Sequence, residues 1–308
     1  MDAKAHDLNF VLGQKQHWVV PVYQRHYEWE SGSDKQIPKL WEDWRDKAIE
    51  RLEERSPFPH YFGALIYSEP SKQAFGATPR RFLVDGQQRV TTFQIVLSAL
   101  REVAREQGLA QLVEVANTYI FNEKSTGMED PDRERFKLWP SVHDRKLFQL
   151  LSTGTPDEIR TAHTPNFFYK NGKLKTGQAP NLLRAYWYFY EAIREFIEDR
   201  AEYEEGADKV LNALIAGFLS GFQIVVIQLD ENDDAQEIFG SLNGLGKPLS
   251  PFDLIRNDVF HRARKTGEDD ERLFDDRWKS FEEPFWSEQV RQGRFKRARA
   301  DHLIAHAV

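Results

Sequence analysis

Asp85, Gly86, Gln87, Gln88 and Arg89 stand in a row between two strongly apolar stretches. RRFLVD (80–85) reads as a strand ending at Asp85, and VTTFQIVLSALREVAREQG (90–108) as a helix that begins near Thr91 and is closed by Gly108. Gly86 permits a sharp turn and a close backbone approach by a ligand. A strand, a tight turn and a helix start aim backbone N–H groups and the positive end of the helix at one spot, which suits a phosphate. Arg89 adds a planar, permanently charged fork. Asp85 is placed to hold Mg²⁺ or orient a water. Gln87 and Gln88 are neutral groups able to position a water or read a base edge, and Gly86, Thr91 and Thr92 would lie on the nucleotide side of the corner. A lone Asp-Gly turn would be read as structure; four polar side chains between two apolar elements favour a site.

Two further stretches flank this corner. VPVYQRHYEW (20–29) interleaves Tyr23, Tyr27 and Trp29 with Gln24 and Arg25, a mixture that stacks on bases and contacts phosphate, or equally packs as a hydrophobic hinge. EIFGSLNGLGKPLSPFDLIRN (237–257) joins a helix, a glycine-rich turn and a second helix opened by Ser250, Pro251 and Asp253. Asn243 and Lys247 lie in the turn, where Lys247 would neutralise a phosphate, whereas Asp253 reads mainly as a cap. The turn resembles a P-loop only superficially. Five residues separate Gly240 from Gly246, and Pro248 stands where a Mg²⁺-binding Ser or Thr belongs, so a Walker-type NTPase is rejected.

The elements that must carry these residues are legible from periodicity. Residues 8–14 predict a short helix, HWVVPVY (17–23) a strand, IPKLWEDWRDKAIERLEE (37–54) an amphipathic helix and YFGALIYS (61–68) a buried strand. Helices are expected over 111–122, 144–154, 181–203, 208–221 and 235–243, a strand over 135–141 and an interior strand over 222–230. Residues 155–181 are polar, with Asn171-Gly172 marking a tight turn in an expected mobile insertion. The sum is an α+β fold, with a helical insertion at about 111–221 in a domain spanning 1–265, and the start of a further helical region over 266–308.

Composition narrows the function. The 308 residues include 22 Phe, 10 Tyr and 8 Trp, ample for a large core. A net charge of −7 excludes a sequence-blind DNA coat, so any nucleic-acid contact must come from a local patch. RQGRFKRAR (291–299), with five basic residues around Phe295, is such a patch, either tracking a DNA backbone or forming a solvated helix face. The chain has no cysteine, which excludes disulfides, thiolate zinc sites and cysteine nucleophiles. His302 and His306 have the spacing of a helical metal pair, but the Glu of H-E-x-x-H is missing. With neither a signal-like N-terminus nor a long apolar run, a cytoplasmic protein with no membrane partner is expected. The uncapped apolar periodicity of the last residues suggests that more chain follows.

YQRHYEW, LVDGQQRVTTF and IFGSLNGLGKPLSPFDLIRN, in this order, resemble the three hallmark motifs of the GmrSD restriction endonuclease N-terminal domain family. The resemblance spans residues 20–257 and implies a ParB/sulfiredoxin-like mixed-sheet core with a large helical portion. It implies that 85–89 bind and hydrolyse an NTP, GTP foremost, with Mg²⁺, and that 23–25 line the same cleft or a pocket that senses modification. Members are similar in coupling recognition of modified double-stranded DNA, phosphorothioate or glucosylated, to an HNH nuclease. No His-Asn-His context follows residue 260, so the nuclease would lie further along the chain or on a partner. A homo-oligomer is a further expectation. The aromatic density of YQRHYEW favours phosphorothioate. A nucleotide- or modified-DNA-binding switch without turnover, and a ParB-like nuclease acting directly on DNA, are the alternatives.

Overall fold

The computed structural model describes residues 2–55, 58–70, 73–74, 76–124, 126–203, 205–230, 233 and 250–307. It divides into two compact units, Met1–Val20 with His26–Glu231, and Pro21–Arg25 with Asn232–Val308. The helical share is 54%, set against a six-stranded mixed sheet and a small two-stranded one, so the class is α+β. Among the described residues no helix is long and apolar enough to cross a membrane.

The six-stranded sheet belongs to the first unit. Its strands are β1 (Asp2–Asp7), β2 (His17–Val19), β3 (His60–Ser68), β4 (Arg80–Asp85), β5 (Leu138–Trp139) and β6 (Phe222–Leu229), in the order β1-β6-β3-β4-β2-β5. β3 runs parallel to β6 and antiparallel to β4, while β2 runs parallel to both β4 and β5. The strand expected over 17–23 stops at Val19. Pro21 lacks an amide donor and cannot extend a ladder, so the chain turns there and Gln24 N–H bonds back to Pro21 O.

Helices α1 (Leu8–Gly13), α2 (Gln36–Leu52), α3 (Gln87–Glu106), α4 (Ala110–Ile120), α5 (Pro131–Glu134), α6 (Arg145–Thr153), α7 (Pro156–His163), α8 (Asn181–Ala201) and α9 (Ala207–Gly221) build the rest of the unit. α3 is the hub: every residue from Val90 to Ala104 is buried, and it packs on α4, α8 and α6. A helix buried all round must satisfy its polar residues internally. Arg101 does so by donating from Nε to Glu102 Oε1 (2.8 Å) and from Nη1 to Ser152 O (2.7 Å), which ties α3 to the end of α6. Trp44 of α2 is fully buried and donates its indole N–H to Leu214 O of α9 (2.7 Å).

Residues 155–181 are not a loose insertion. Thr155 and Glu158 form a reciprocal capping box on α7 with Pro156 at its first turn. Phe168 is fully buried edge-on against Trp187 of α8 (4.8 Å), and the Asn171-Gly172 turn closes a short hairpin over it. One buried phenyl and one capped helix start order a sequence that looks polar throughout.

In β2, His17 donates from Nδ1 to Phe136 O (2.8 Å), and its Nε2 is buried without a partner among the described residues. Burial pushes the imidazole down from the ordinary 6.5 to about 4. The unfolded chain therefore takes up this proton near 6.5 and the folded one only near 4. Stability is expected to fall as pH drops through that window, by about 3 kcal/mol in all. Urea midpoints measured across it should fall more steeply for the parent than for His17→Asn, which keeps a donor but does not titrate; equal slopes would refute the assignment.

In the second unit, Ser250 and Asp253 cap the helix Pro251–Lys265 reciprocally, as the Ser-Pro-x-Asp spacing predicts. The terminal helix Arg299–Ala307 docks on it through Asp301 Oδ1, which accepts the Phe252 N–H (3.2 Å). RQGRFKRAR is not a helix face. It forms most of an antiparallel hairpin, β7 (Gln289–Gln292) and β8 (Phe295–Ala298), because Gly293 takes a left-handed φ of 61° at the turn.

Candidate functional site

Chain reversal between β4 and α3 takes a single residue. Gly86 has φ 94° and ψ 7°, and α3 starts at Gln87. The helix thus begins four residues before the expected Thr91, so Gln87, Gln88 and Arg89 form its first turn. Gly86, the N-cap of α3, has no side chain and so makes no cap bond to the first turn. An uncapped start with the macrodipole behind it favours an anion.

Arg89 lies over β3. Its Nη2 donates to Asp85 Oδ2 (2.7 Å) and to Ala64 O (2.5 Å), while its buried Nε has no partner among the described residues. Opposite the guanidinium is Gly63, at φ 82°, where a Cβ would sit 3.5–3.8 Å from Nη1, Cζ and Nε. The β3–β6 register shifts between Tyr61 and Ala64, and that irregularity turns the Ala64 carbonyl to Arg89. Gly63 and Ala64 thus belong to the corner although the sequence reading passed over them. The usable signal was a lone glycine inside an apolar strand.

The other half of the corner is the backbone of 26–28. Gln88 clamps it with both ends of its amide: Oε1 accepts the Glu28 N–H (2.8 Å) and Nε2 donates to His26 O (3.1 Å). Asp144 Oδ2 accepts the Tyr27 N–H (2.8 Å), and Asn181 Nδ2 donates to Glu28 O (3.2 Å). Tyr27 is buried, and its phenol meets Thr92 Oγ1 at 2.7 Å. Thr92 Oγ1 itself donates to Gln88 O (2.8 Å), so Tyr27 must be the donor to Thr92. Burial pushes the Tyr27 phenol far above its ordinary value, and burial likewise raises Asp144. These bonds pin 26–28 to the starts of α3, α6 and α8.

Asp85, Gly86, Gln87, Gln88 and Arg89 are therefore brought together as expected from their adjacency. Thr91 and Thr92 are buried, and Thr92 is bonded within the protein on the inner side of the helix start. Trp29 is half-buried and packs in a T-shaped arrangement with Phe62 (6.0 Å). Tyr23, Gln24 and Arg25 fall in the second unit. There Tyr23 stacks on Phe260 (5.9 Å), with Arg264 5.7 Å from its ring centroid. Arg25 Nη2 pairs with Asp253 Oδ2 (3.3 Å), whose other oxygen accepts from Arg256 Nη2 (2.8 Å). Asn243 and Lys247 lie outside the described residues.

The first unit is thus a mixed sheet backed by helices, whose β4–α3 corner presents an uncapped helix start and an arginine fork. The chain belongs to the family of the GmrSD restriction endonuclease N-terminal domain, whose model matches residues 8–260, most of the chain. That places it in a DNA restriction system. No curated protein sequence matches it.

Proposed function

We propose that the chain is the NTP-hydrolysing sensor domain of a modification-dependent restriction system, preferring GTP, in which recognition of modified duplex DNA licenses a nuclease carried in cis or by a partner. The observation that carries this reading is the corner itself: an uncapped α3 start beside Arg89, whose buried Nε has no partner among the described residues. This donor set fits a polyphosphate. For Mg²⁺ the fit is partial. Among the described residues no three His, Asp or Glu side chains converge, so Asp85 would be its one carboxylate, the remaining ligands coming from phosphate oxygens and water. Bound there, Mg²⁺ would offset charge on the phosphates. The chain's own part is positional: Arg89 binds and orients phosphate, α3 directs its first N–H groups, Gln87 orients a water, and Gln88 holds 26–28 in place. Tyr23, Gln24 and Arg25 would read the modification, phosphorothioate or glucosylated base.

The test is phosphate release from GTP and ATP with Mg²⁺, in the presence of modified or unmodified duplex. Turnover stimulated by the modified duplex alone is expected; equal rates with both duplexes would remove the sensing part of the reading. A second reading, nucleotide binding as a switch without turnover, is favoured by one feature: Asp85 is already paired to Arg89. Calorimetric binding of GTP with no phosphate released would select it.

A further inference from the structure

The β7–β8 hairpin concentrates positive charge in a chain of net charge −7. Residues 289–298 contain Arg291, Arg294, Lys296 and Arg297 and no acid, and all residues from Arg291 to Arg297 are exposed. The register sets Arg291 directly opposite Lys296. Like charges in facing positions destabilise a two-stranded ladder. Among the described residues none of these four side chains sits in an ion pair, whereas the neighbouring Arg299 is neutralised by Glu288 (2.9 Å). On the opposite face Arg297 lies 4.7 Å from the ring centroid of Phe295, which is 61% exposed. A face that repels itself and is left uncompensated by the protein is suited to an anion supplied from outside.

The ribbon is also held in place. His302 Nε2 donates to Val290 O (3.2 Å), Gln292 Nε2 donates to His306 Nε2 (3.0 Å), and Arg299 N–H bonds to Glu288 O (3.1 Å). The histidines with metal-like spacing thus fasten β7 to the terminal helix. The charges are presented from a braced two-stranded element whose tip is Gly293-Arg294. Such a ribbon fits the major groove of B-form DNA, about 12 Å wide. We infer that β7–β8 enters the major groove of duplex DNA, with Arg291 and Lys296 on phosphates and Arg294, Arg297 and Phe295 directed at the groove. The inference rests on the DNA-restriction reading above and adds the element that grips the duplex.

Arg291→Gln/Lys296→Gln changes only exposed side chains and removes a repulsive pair, so the variant is expected to unfold no earlier than the parent. Fluorescence anisotropy with a labelled duplex, over a series of salt concentrations, should show affinity lowered by about 10-fold or more. The slope of log affinity against log salt should be shallower by about 2, one phosphate contact per lost charge. Phe295→Ala should weaken duplex binding without changing that slope. If the parent binds duplex and the double variant binds with the same affinity and slope, the hairpin assignment fails while the DNA reading stands. If the parent binds no duplex, both fail. Equal competition by polyglutamate or by single-stranded DNA would overturn groove entry.

Discussion

Arg89→Ala is expected to lower kcat/KM for nucleotide hydrolysis by about 10²- to 10³-fold, the usual effect of deleting one preorganised donor to developing charge. Stability should change little. The Asp85–Arg89 pair is a quarter to a third exposed on each side, at 23% and 30%, and such pairs contribute about 0–1 kcal/mol. The variant also removes the buried Nε that lacks a partner among the described residues. Its one clear structural loss is the donor to Ala64 O. Arg89→Lys keeps the charge but not the fork and should fall between the two. Asp85→Asn should raise the Mg²⁺ concentration needed for half-maximal turnover. Phosphate release and urea midpoints, measured side by side, decide the matter. Parent-like turnover by Arg89→Ala sinks the assignment, and so does a midpoint lowered in step with activity, because Arg89 would then be acting through the fold.

Periodicity carried most of the fold, because buried elements must repeat their apolar residues at the period of the element. β4 runs over 80–85 as read from RRFLVD, and α9 and β6 meet at the expected Gly221-Phe222 junction. β1 could not be seen this way. DAKAHD is an exposed edge strand that pairs by backbone alone with β6, and a strand without a buried face leaves no alternating pattern. Thr155-Pro156-Asp157-Glu158 did carry a cap signature, hidden by the polarity around it. The corner was half legible. Adjacency in the sequence brought Asp85 to Arg89 together, but Gly63 and Ala64 reach Arg89 only through sheet pairing, and Asp144 and Asn181 reach 27–28 only through helix packing. YQRHYEW read equally as a base-stacking site or as a hydrophobic hinge. Its Tyr27 is core, and the chain passes from one compact unit to the other between Arg25 and His26. Local composition does not report which side chains face inward when a segment is pinned at its backbone.

Gly86→Ala should be the most damaging single methyl group that can be added to the corner. Two costs combine there. An L-residue at φ 94° is strained, and the new Cβ would stand 2.8 Å from Leu65 Cδ1, 3.1 Å from Ala64 O and 3.3 Å from Leu65 Cα. Leu65 is fully buried, and Ala64 O is backbone fixed in the β3 ladder, so neither can withdraw cheaply. The expected loss is about 2–5 kcal/mol, from left-handed strain and overpacking together. Gly86→Asn separates the two, because Asn tolerates the left-handed region but brings the same Cβ. If packing dominates, Asn should be as destabilising as Ala; if backbone strain dominates, Asn should recover about 1 kcal/mol. Adding Leu65→Ala to Gly86→Ala should relieve only the nearest contact, so the two changes should be non-additive by about 1 kcal/mol. Urea denaturation of five proteins, the parent, Gly86→Ala, Gly86→Asn, Leu65→Ala and the Gly86→Ala/Leu65→Ala double variant, gives these differences directly. A Gly86→Ala midpoint indistinguishable from the parent would mean that β4 and α3 do not meet at this one-residue turn. The helix start that the proposed phosphate site depends on would then be wrongly placed.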